Sequence, residues 1–287
     1  MANLKELRNR ISSVSSTMQI TSAMKMVSAA KLKRAQDGIT QMRPYAEKLE
    51  EILMNVTATL DASEGVYSRK SETNKKVLLI AVASNRGLAG AFNSNIIKAV
   101  VKYTKETTAE VDVLCIGRKA FDILRKRDVN VIGEHNSLFD DASFENVGVI
   151  AQKVMDLFAD EAYDRVEVVY NRFLNAASQK VQVEQFLPVK EPETASSDAQ
   201  VGDYIYEPSK EEILEDLIPK SLRTQLFKAV LDSIASEHGA RMTAMHKATD
   251  NASELRRQLK LDYNKARQAA ITNEILEIVG GAEALNA

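Results

Sequence analysis

The turn Ser84–Asn93 is the strongest candidate for chemistry in this sequence, because it carries two glycines between an apolar run and a helical pattern. A turn of this kind at a helix N-terminus can hold an anion with its backbone amides. However, the spacing of Gly87 and Gly90 matches neither the G-x-G-x-x-G of dinucleotide sites nor the GxxxxGK[ST] of P-loops. We therefore favour glycines that let strand and helix pack closely, and keep an anion site as the alternative.

The side chains suited to acid–base or metal chemistry are scattered. His238 and His246 lie eight residues apart, too far for the i, i+4 pair of a zinc helix. We expect both at solvent or at an interface, and His135 stands apart from them. Asp140 and Asp141 are adjacent in an expected loop, which favours solvation. No G-x-S-x-G or H-E-x-x-H string is present, so we expect no catalytic residue, no metal site and no cofactor.

Cys115 is the only cysteine, which excludes an internal disulfide. It lies in an apolar run and is expected to be a small buried residue. No apolar run is long enough for a transmembrane helix, and Met1 to Arg10 resembles neither a signal peptide nor a transit peptide. We therefore expect any membrane association to come through partners.

The middle of the chain alternates between strand and helix patterns. We predict strands at Lys76–Ala83, Val111–Ile116, Asn130–Gly133, Arg165–Asn171 and Lys180–Leu187, and helices at Ala91–Lys105, Lys119–Lys126 and Phe144–Phe158. The first strand is a continuous apolar run, typical of a strand buried on both faces. The last two strands are close enough in sequence to form a hairpin. This pattern predicts a doubly wound α/β sheet with an antiparallel edge.

Both ends of the chain have the pattern of long helices. At the N-terminal end apolar residues recur at alternating steps of three and four, and later drift: Leu4, Leu7, Ile11, Val14 and Met18, then Ile20, Met24, Val27 and Leu32. With the first proline at Pro44, we expect a helix of about 40 residues, roughly 60 Å long. The C-terminal helix is expected from Lys220 to Val279, with Pro219 in its first turn and Gly280–Gly281 as its stop.

The apolar side chains of the C-terminal helix become smaller along its length, from leucine and methionine to Ala266, Ala269 and Ala270. Two such helices could pair as one shaft. The alternative is a pair of ordinary amphipathic helices in a bundle, which helices much longer than 25 residues make less favourable.

Composition is that of an ordinary soluble protein, with 287 residues, 45% hydrophobic, 27% charged and a net charge of −2. The first 50 residues are nevertheless basic, while acids gather between Glu191 and Glu215. The N-terminal helix should therefore prefer acidic partners. A nucleic-acid interface is the weaker interpretation, because interleaved aromatics and zinc or helix-turn-helix spacings are absent from the sequence.

Long strings at both ends resemble one known family. They are Arg10–Lys31 near the start and, near the end, Ala235–Met245, Ala248–Ala252, Tyr263–Glu274 and Glu277–Val279. These strings are similar to the terminal signatures of the gamma subunit of F-type ATP synthase, and the likeness runs essentially end to end. The central turn departs from the family pattern, because Asn85 and Ala89 stand where an acid and a cysteine are common.

The resemblance implies a noncatalytic rotor stalk of a bacterial, proton-translocating enzyme. Its terminal helices would form an antiparallel coiled coil inside a ring of three alpha and three beta subunits, and its α/β domain would sit on the c-subunit ring with an epsilon subunit. By position, the implied beta-subunit contacts are Arg267, Gln268, Thr272, Arg241, Met24 and Lys25. The implied foot on the c ring and epsilon subunit contains Tyr204, Tyr206 and Glu207.

The expected organisation has four parts: a coiled-coil helix at 1–60, an α/β domain at 75–190, an acidic loop and foot at 191–209, and a second coiled-coil helix at 210–287. Localisation is expected at the cytoplasmic face of the cell inner membrane, as a peripheral component. Two rival functions remain open. They are a small nucleotide-using α/β enzyme with helical arms, which would bind ATP alone, and a coiled-coil adapter, which would not associate with an alpha and beta hexamer.

Overall fold

A computed structural model describes residues 4–57, 66–69, 75–189 and 210–286. Two long helices, α1 (Leu4–Thr57) and α6 (Lys210–Asn286), enclose an α/β region in sequence. That region consists of β1 (Lys76–Val82), α2 (Phe92–Glu106), β2 (Glu110–Ile116), α3 (Arg118–Leu124), β3 (Asn130–Glu134), α4 (Ser137–Asp140), α5 (Phe144–Ala159), β4 (Arg165–Phe173) and β5 (Gln179–Leu187). The mixed α/β class with long terminal helices is as predicted, and only the short α4 was not expected.

The five strands form one sheet in the order β3-β2-β1-β4-β5. The first four strands are parallel, and β5 pairs antiparallel with β4. This confirms the predicted doubly wound sheet with an antiparallel edge hairpin. The central strand β1 is buried along Val77–Val82, which explains its unbroken apolar sequence.

The sheet separates two hydrophobic cores. Alternate residues of β1 face opposite sides, so that Leu78 and Ile80 belong to one core and Leu79 to the other. The first core contains α5 together with buried residues of α6, among them Leu222 and Leu226. The second contains α2 and α3. The sheet is thus covered on both faces, as a mostly parallel sheet requires.

The chain divides into two compact units. One consists of Met1–Ser28 and Met242–Ala287, and the other of Ala29–Arg241. Both long helices therefore contribute to each unit. In the first unit, the predicted stripe is confirmed, because Leu7 is buried and Ile11 is partly covered while their neighbours are exposed.

The later part of that stripe differs from the prediction. Ile20 and Val27 are exposed, whereas Thr21 and Ser28 are buried in the positions that continue the three–four spacing. The drift inferred from apolar residues was therefore wrong for Ile20 and Val27. The buried stripe keeps its period and accepts small hydroxyl side chains, which can donate to the carbonyls of their own helix.

The two helices of the first unit run antiparallel. Arg8 Nη2 donates to the Tyr263 hydroxyl at 3.2 Å, and the Thr21 and Thr249 hydroxyls lie 2.8 Å apart. As the residue number rises along α1, the number of its partner on α6 falls by a similar amount. This regular register confirms the predicted antiparallel pairing.

The bounds of the long helices were predicted less well. α1 continues through Pro44 to Thr57, and α6 begins at Lys210, so that Pro219 lies inside it. A proline inside a helix costs about 3 kcal/mol. Burial of the flanking Ile218 and Leu222 against the sheet core offsets that cost.

The expected stop at Gly280–Gly281 was also wrong, since α6 continues to Asn286. Glycine ends a helix when it adopts a left-handed conformation, and a glycine that stays helical costs only about 1 kcal/mol. Among the described residues, no helix is both long enough and apolar enough to cross a membrane.

Candidate functional site

The turn after β1 is held by hydrogen bonds to its own side chains. The Ser84 backbone amide donates to Asn93 Oδ1 at 3.0 Å, and its Oγ donates to the Arg86 carbonyl at 2.6 Å while lying 3.0 Å from Asn93 Oδ1. Leu88 and Gly90 have positive φ angles of 62° and 56°. Asn93 lies in the first turn of α2, so these bonds fix the end of β1 to the start of that helix.

Arg241 of α6 binds the same turn from the other side. Its Nη2 donates to the Gly87 carbonyl at 3.0 Å and to the Arg86 carbonyl at 3.3 Å. The residue is only 8% exposed. The turn therefore directs carbonyl oxygens toward a cation of its own chain, and this makes it a junction between the sheet and α6.

Arg241 is neutralised by a buried acid one helical turn earlier. Its Nη1 forms an ion pair with Glu237 Oε1, and the second carboxylate oxygen of Glu237 lies 2.8 Å from His238 Nδ1. Burial alone would raise the pKa of Glu237, but the neighbouring His238 ring and the Arg241 guanidinium hold this pKa below its ordinary value. Glu237 is thus ionised at neutral pH.

Of the two positions predicted for His238, solvent or an interface, the structure excludes solvent. The His238 side chain is only 14% exposed and lies against Glu237, whereas the His246 side chain is 56% exposed, as expected. Sequence spacing gave no sign of this pairing, because neighbouring helical residues normally point to different faces. The third histidine, His135, has its pKa lowered by burial and by the nearby Lys153.

Asn85 connects three elements of the α/β region. Its side-chain amide donates to the Asn136 carbonyl and to Asp140 Oδ2, each at 2.8 Å, and its Oδ1 accepts from the Arg118 amide at 3.0 Å. An aspartate at this position could not donate and would face the Asp140 carboxylate. The departure at position 85 thus has a physical reason in this chain, and Ala89 beside it is buried in the core.

Asp140 is exposed, in keeping with the expected solvation, but it ends the short helix α4 rather than lying in a loop, and it accepts a hydrogen bond from the Asn85 amide. Its neighbour Asp141 accepts from Asn146 at 3.2 Å. Cys115 is buried as predicted, and burial raises the pKa of its thiol to about 12. Among the described residues, no group of three acids, histidines or cysteines could hold a metal ion.

Gly239 allows α6 to approach the turn between β4 and β5. A Cβ at this position would lie 3.1 Å from Ala176 Cα and 3.2 Å from its carbonyl oxygen. Gly239 is the one glycine between Lys220 and Val279, and no local pattern in the sequence indicates this contact. A larger side chain at this position would therefore push α6 away from the β4–β5 turn.

A buried polar group on α6 was also missed. Asp232 is buried 3.6 Å from Arg43 Nη2, and burial raises the pKa of its carboxyl above the usual range. Ser233 and Ser236 form hydrogen bonds with the backbone of Asn171. A sequence signal was available for Ser233, which lies seven residues after Leu226 and three after Val230 and so falls on the same helical face.

The predicted beta-subunit contacts lie mostly in the first unit. Arg267, Gln268 and Thr272 are exposed, and the Thr272 hydroxyl donates only to the Gln268 carbonyl of its own helix. Met24 and Lys25 are partly covered, and Lys25 Nζ lies 3.4 Å from His246 Nδ1. These roles stay predictions, as does that of Arg241, whose described partners are within the chain.

The last part of α6 is bare. Every residue from 271 to 282 is exposed, including large apolar side chains that normally avoid water: Ile271, Ile275, Leu276, Ile278 and Val279. The antiparallel register places the described start of α1 near Arg267, so α6 continues beyond the described part of α1. The predicted foot residues Tyr204, Tyr206 and Glu207 lie outside the described residues.

Comparison with known proteins assigns a family to this architecture. The family model described as ATP synthase matches residues 3–285. The ATP synthase gamma chain of Flavobacterium johnsoniae is 65% identical over 100% of both chains, and that of Cytophaga hutchinsonii is 54% identical over 100% of both. The gamma chain of Geotalea daltonii is 46% identical over 99% of both.

Solved structures share the fold. A chain from the central stalk and c-ring structure of the Tetrahymena thermophila mitochondrial ATP synthase matches with a TM-score of 0.60 and 25% identity, over 80% of this chain and 99% of that chain. A chain of the Euglena gracilis enzyme matches with a TM-score of 0.67 and 22% identity, over 98% and 94%. Two long helices around an α/β sheet thus define a stalk-type chain. This chain belongs to the ATP synthase gamma-chain family.

Proposed function

We propose that this chain is the central-stalk rotor subunit of a proton-translocating F-type ATP synthase. It transmits torque between a membrane c ring and a catalytic hexamer of alpha and beta subunits during ATP synthesis or hydrolysis. The observation that carries the proposal is the bare apolar end of α6, on a chain whose gamma-chain relatives match over its full length. Exposed large apolar side chains of this number indicate a surface that partners cover.

The antiparallel helix pair suits a rotating shaft. The stripe in the first unit keeps α1 and α6 in one register through Arg8–Tyr263 and Thr21–Thr249, so the shaft can turn as one body. Its surface is asymmetric, and three identical beta subunits around it would meet three different faces. Different contacts with each nucleotide state are what allow rotation to change nucleotide affinity.

Three residues near the end of α6 help to set the rotational position of the stalk: Arg267, Gln268 and Thr272. All three are exposed on α6 and free to meet partner loops. Charge-assisted hydrogen bonds from Arg267 would hold a rotational position without the deep minimum that would stop the next step. Met24 and Lys25 contribute a second contact with the beta subunits along α1, and Arg241 contributes a further one from α6.

The remaining assignments follow from this role. The chain is noncatalytic by itself, since nucleotide chemistry belongs to the alpha and beta subunits. The foot that contains Tyr204, Tyr206 and Glu207 contacts the c ring and an epsilon subunit. The protein lies peripherally at the cytoplasmic face of the bacterial inner membrane and is held there only through the complex.

Reconstitution tests this function. The purified chain is mixed with the alpha and beta subunits of the same organism, and complex formation and ATP hydrolysis are measured for each component and for the mixture. We expect a stoichiometric complex that hydrolyses ATP when no component alone does so. A chain that stays alone in this mixture would contradict the rotor assignment.

A further inference from the structure

A groove lies between α2, α3 and the loop that follows α3, on the side of the sheet opposite α5. Its volume is about 840 Å³. This falls within the range of roughly 300–1,000 Å³ that small-molecule sites occupy. The groove lies within the unit Ala29–Arg241 and is remote in sequence from the predicted partner contacts on α6.

The lining of the groove is cationic. Lys105 of α2, Lys119 of α3, and Lys126 and Arg127 of the following loop all border it. None of the four forms an ion pair with another described residue. Elsewhere in the described α/β region, Lys102 pairs with Glu106 and Lys76 with Glu110.

The acids of the groove do not neutralise it. Asp122 and Asp128 also border the space, but Asp122 is engaged by Arg118 Nε at 3.7 Å. Four cations therefore face one acid that lacks an ion pair among the described residues. In a chain with a net charge of −2, this groove is a local excess of positive charge.

Helix dipoles do not account for the positions of all the cations that line the groove. Lys105 lies in the last turn of α2, where a cation is favoured. Lys119, however, is the second residue of α3, where the positive end of the helix dipole disfavours a cation. A lysine in that position gains from an anion beside it.

Apolar side chains complete the groove. Val101, Ile123 and Val129 border it and are only partly buried, so they offer a surface on which a flat group can pack. A second hollow of about 360 Å³ adjoins the first through Val101, Lys105 and Arg127. It adds Lys98 and the ion pair of Lys102 with Glu106, so Lys98 is the one further cation of this lining without an ion pair among the described residues.

We propose that this groove binds a small anion with several phosphate groups, either free polyphosphate or the phosphate chain of a nucleotide. Three ammonium groups and one guanidinium around one concave space suit adjacent phosphates, and the Arg127 guanidinium can hold a phosphate with two hydrogen bonds. The site is distinct from the Gly87–Gly90 turn, whose carbonyls are bound by Arg241.

Titration calorimetry of the purified full chain tests this site. Inorganic tripolyphosphate, ATP and adenosine are titrated separately at low ionic strength. We expect tripolyphosphate and ATP to bind and adenosine alone to bind far more weakly. Tighter binding of ATP than of tripolyphosphate would identify a nucleotide, with its base on Val101 and Ile123, and equal binding would identify free polyphosphate.

Two variants that remove the same number of charges distinguish binding in the groove from non-specific electrostatic attraction to the chain. The triple variant Lys105→Gln, Lys119→Gln, Lys126→Gln should bind tripolyphosphate about tenfold or more weakly, a change of about 1.4 kcal/mol. The control Lys153→Gln, Lys180→Gln, Lys260→Gln removes the same charge from exposed positions elsewhere and should keep most of the affinity.

Equal losses in the two variants, or no binding of tripolyphosphate to the unaltered chain, would overturn the proposal. Circular dichroism of each variant establishes that it is folded. The measurement needs no alpha or beta subunit, so its failure would leave the rotor assignment intact.

Discussion

At the scale of single residues, the hydrogen bonds around the turn after β1 decide what position 85 tolerates. Asn85 both donates and accepts there, and the acceptor Asp140 is charged. The amide is therefore required by its partners in this chain. Position 85 can be tested by exchanging its side chain with that of its partner.

Asn85→Asp should destabilise the chain by about 1–3 kcal/mol, because it removes two donated hydrogen bonds and places two carboxylates together. Urea unfolding followed by circular dichroism measures the loss. Adding Asp140→Asn to the variant lets the new amide donate to the new carboxylate, and should recover much of the stability. No recovery in the double variant would contradict the contact.

The buried pair Glu237–Arg241 gives a second prediction at this scale. Glu237→Gln should cost about 2–4 kcal/mol at neutral pH, because it leaves the Arg241 charge buried without a counter-charge. The pKa of Glu237 is lowered in the folded chain, so its contribution is complete above its unfolded pKa and is lost as the pH falls through the folded pKa.

Unfolding measured against pH checks that sign. The difference in stability between the unaltered chain and Glu237→Gln should shrink as the pH is lowered into the acid range. Glu254→Gln is the control, since Glu254 and its partner Arg257 are both on the helix surface, and an exposed pair contributes little to stability. A difference for Glu237 that does not change with pH would exclude the ion pair as its cause.

At the scale of elements, the sequence predicted well where helices and strands occur and which of the two each segment forms. β1 was recognisable because a strand buried on both faces needs a continuous apolar run, and α5 because its apolar residues repeat with the helical period. Element ends were harder. Proline and glycine are both disfavoured inside helices. Packing of the neighbouring residues offsets the free-energy cost of Pro219, and the cost of Gly280 is small enough for the helix to continue through it.

Contacts between distant residues were the least predictable part of the site. Arg241 binds carbonyls of Arg86 and Gly87, which no local pattern can indicate. Likewise, Thr21 and Ser28 are polar, so an apolar pattern places them outside the buried stripe that they occupy. Only the pairing of α1 with α6 shows that these positions need small side chains.

The register of that pairing can be fixed by cross-linking. Thr21→Cys with Thr249→Cys should oxidise readily to an internal disulfide, because the two hydroxyl oxygens lie 2.8 Å apart. Since the natural Cys115 is buried, it should not compete. Mass spectrometry of peptides measures the yield, and Thr21→Cys with Thr272→Cys is the control. Equal yields from both pairs would contradict the register.

At the scale of the whole molecule, function depends on what the end of α6 meets. Arg267→Ala with Gln268→Ala should leave the chain folded, because both side chains are exposed. In the assembled enzyme it should reduce ATP-driven proton pumping by about tenfold, through loss of charge-assisted hydrogen bonds. Pumping into membrane vesicles and ATP hydrolysis are measured together.

The adjacent exposed pair Asn264→Ala with Lys265→Ala controls for general damage to this part of α6. It should pump at close to the normal rate. If the Arg267 and Gln268 variant also pumped normally, the assigned contact with beta subunits would be wrong, although the family of the chain would stand.

The bare end of α6 also bears on the life of the protein in the cell. A single helix of about a dozen residues without packing partners is only marginally stable in water. The apolar side chains from Ile271 to Val279 therefore remain available to proteases for as long as the chain has not assembled. Copies made in excess of their partners would thus be degraded first, and the amount of this subunit would follow the number of complete enzymes.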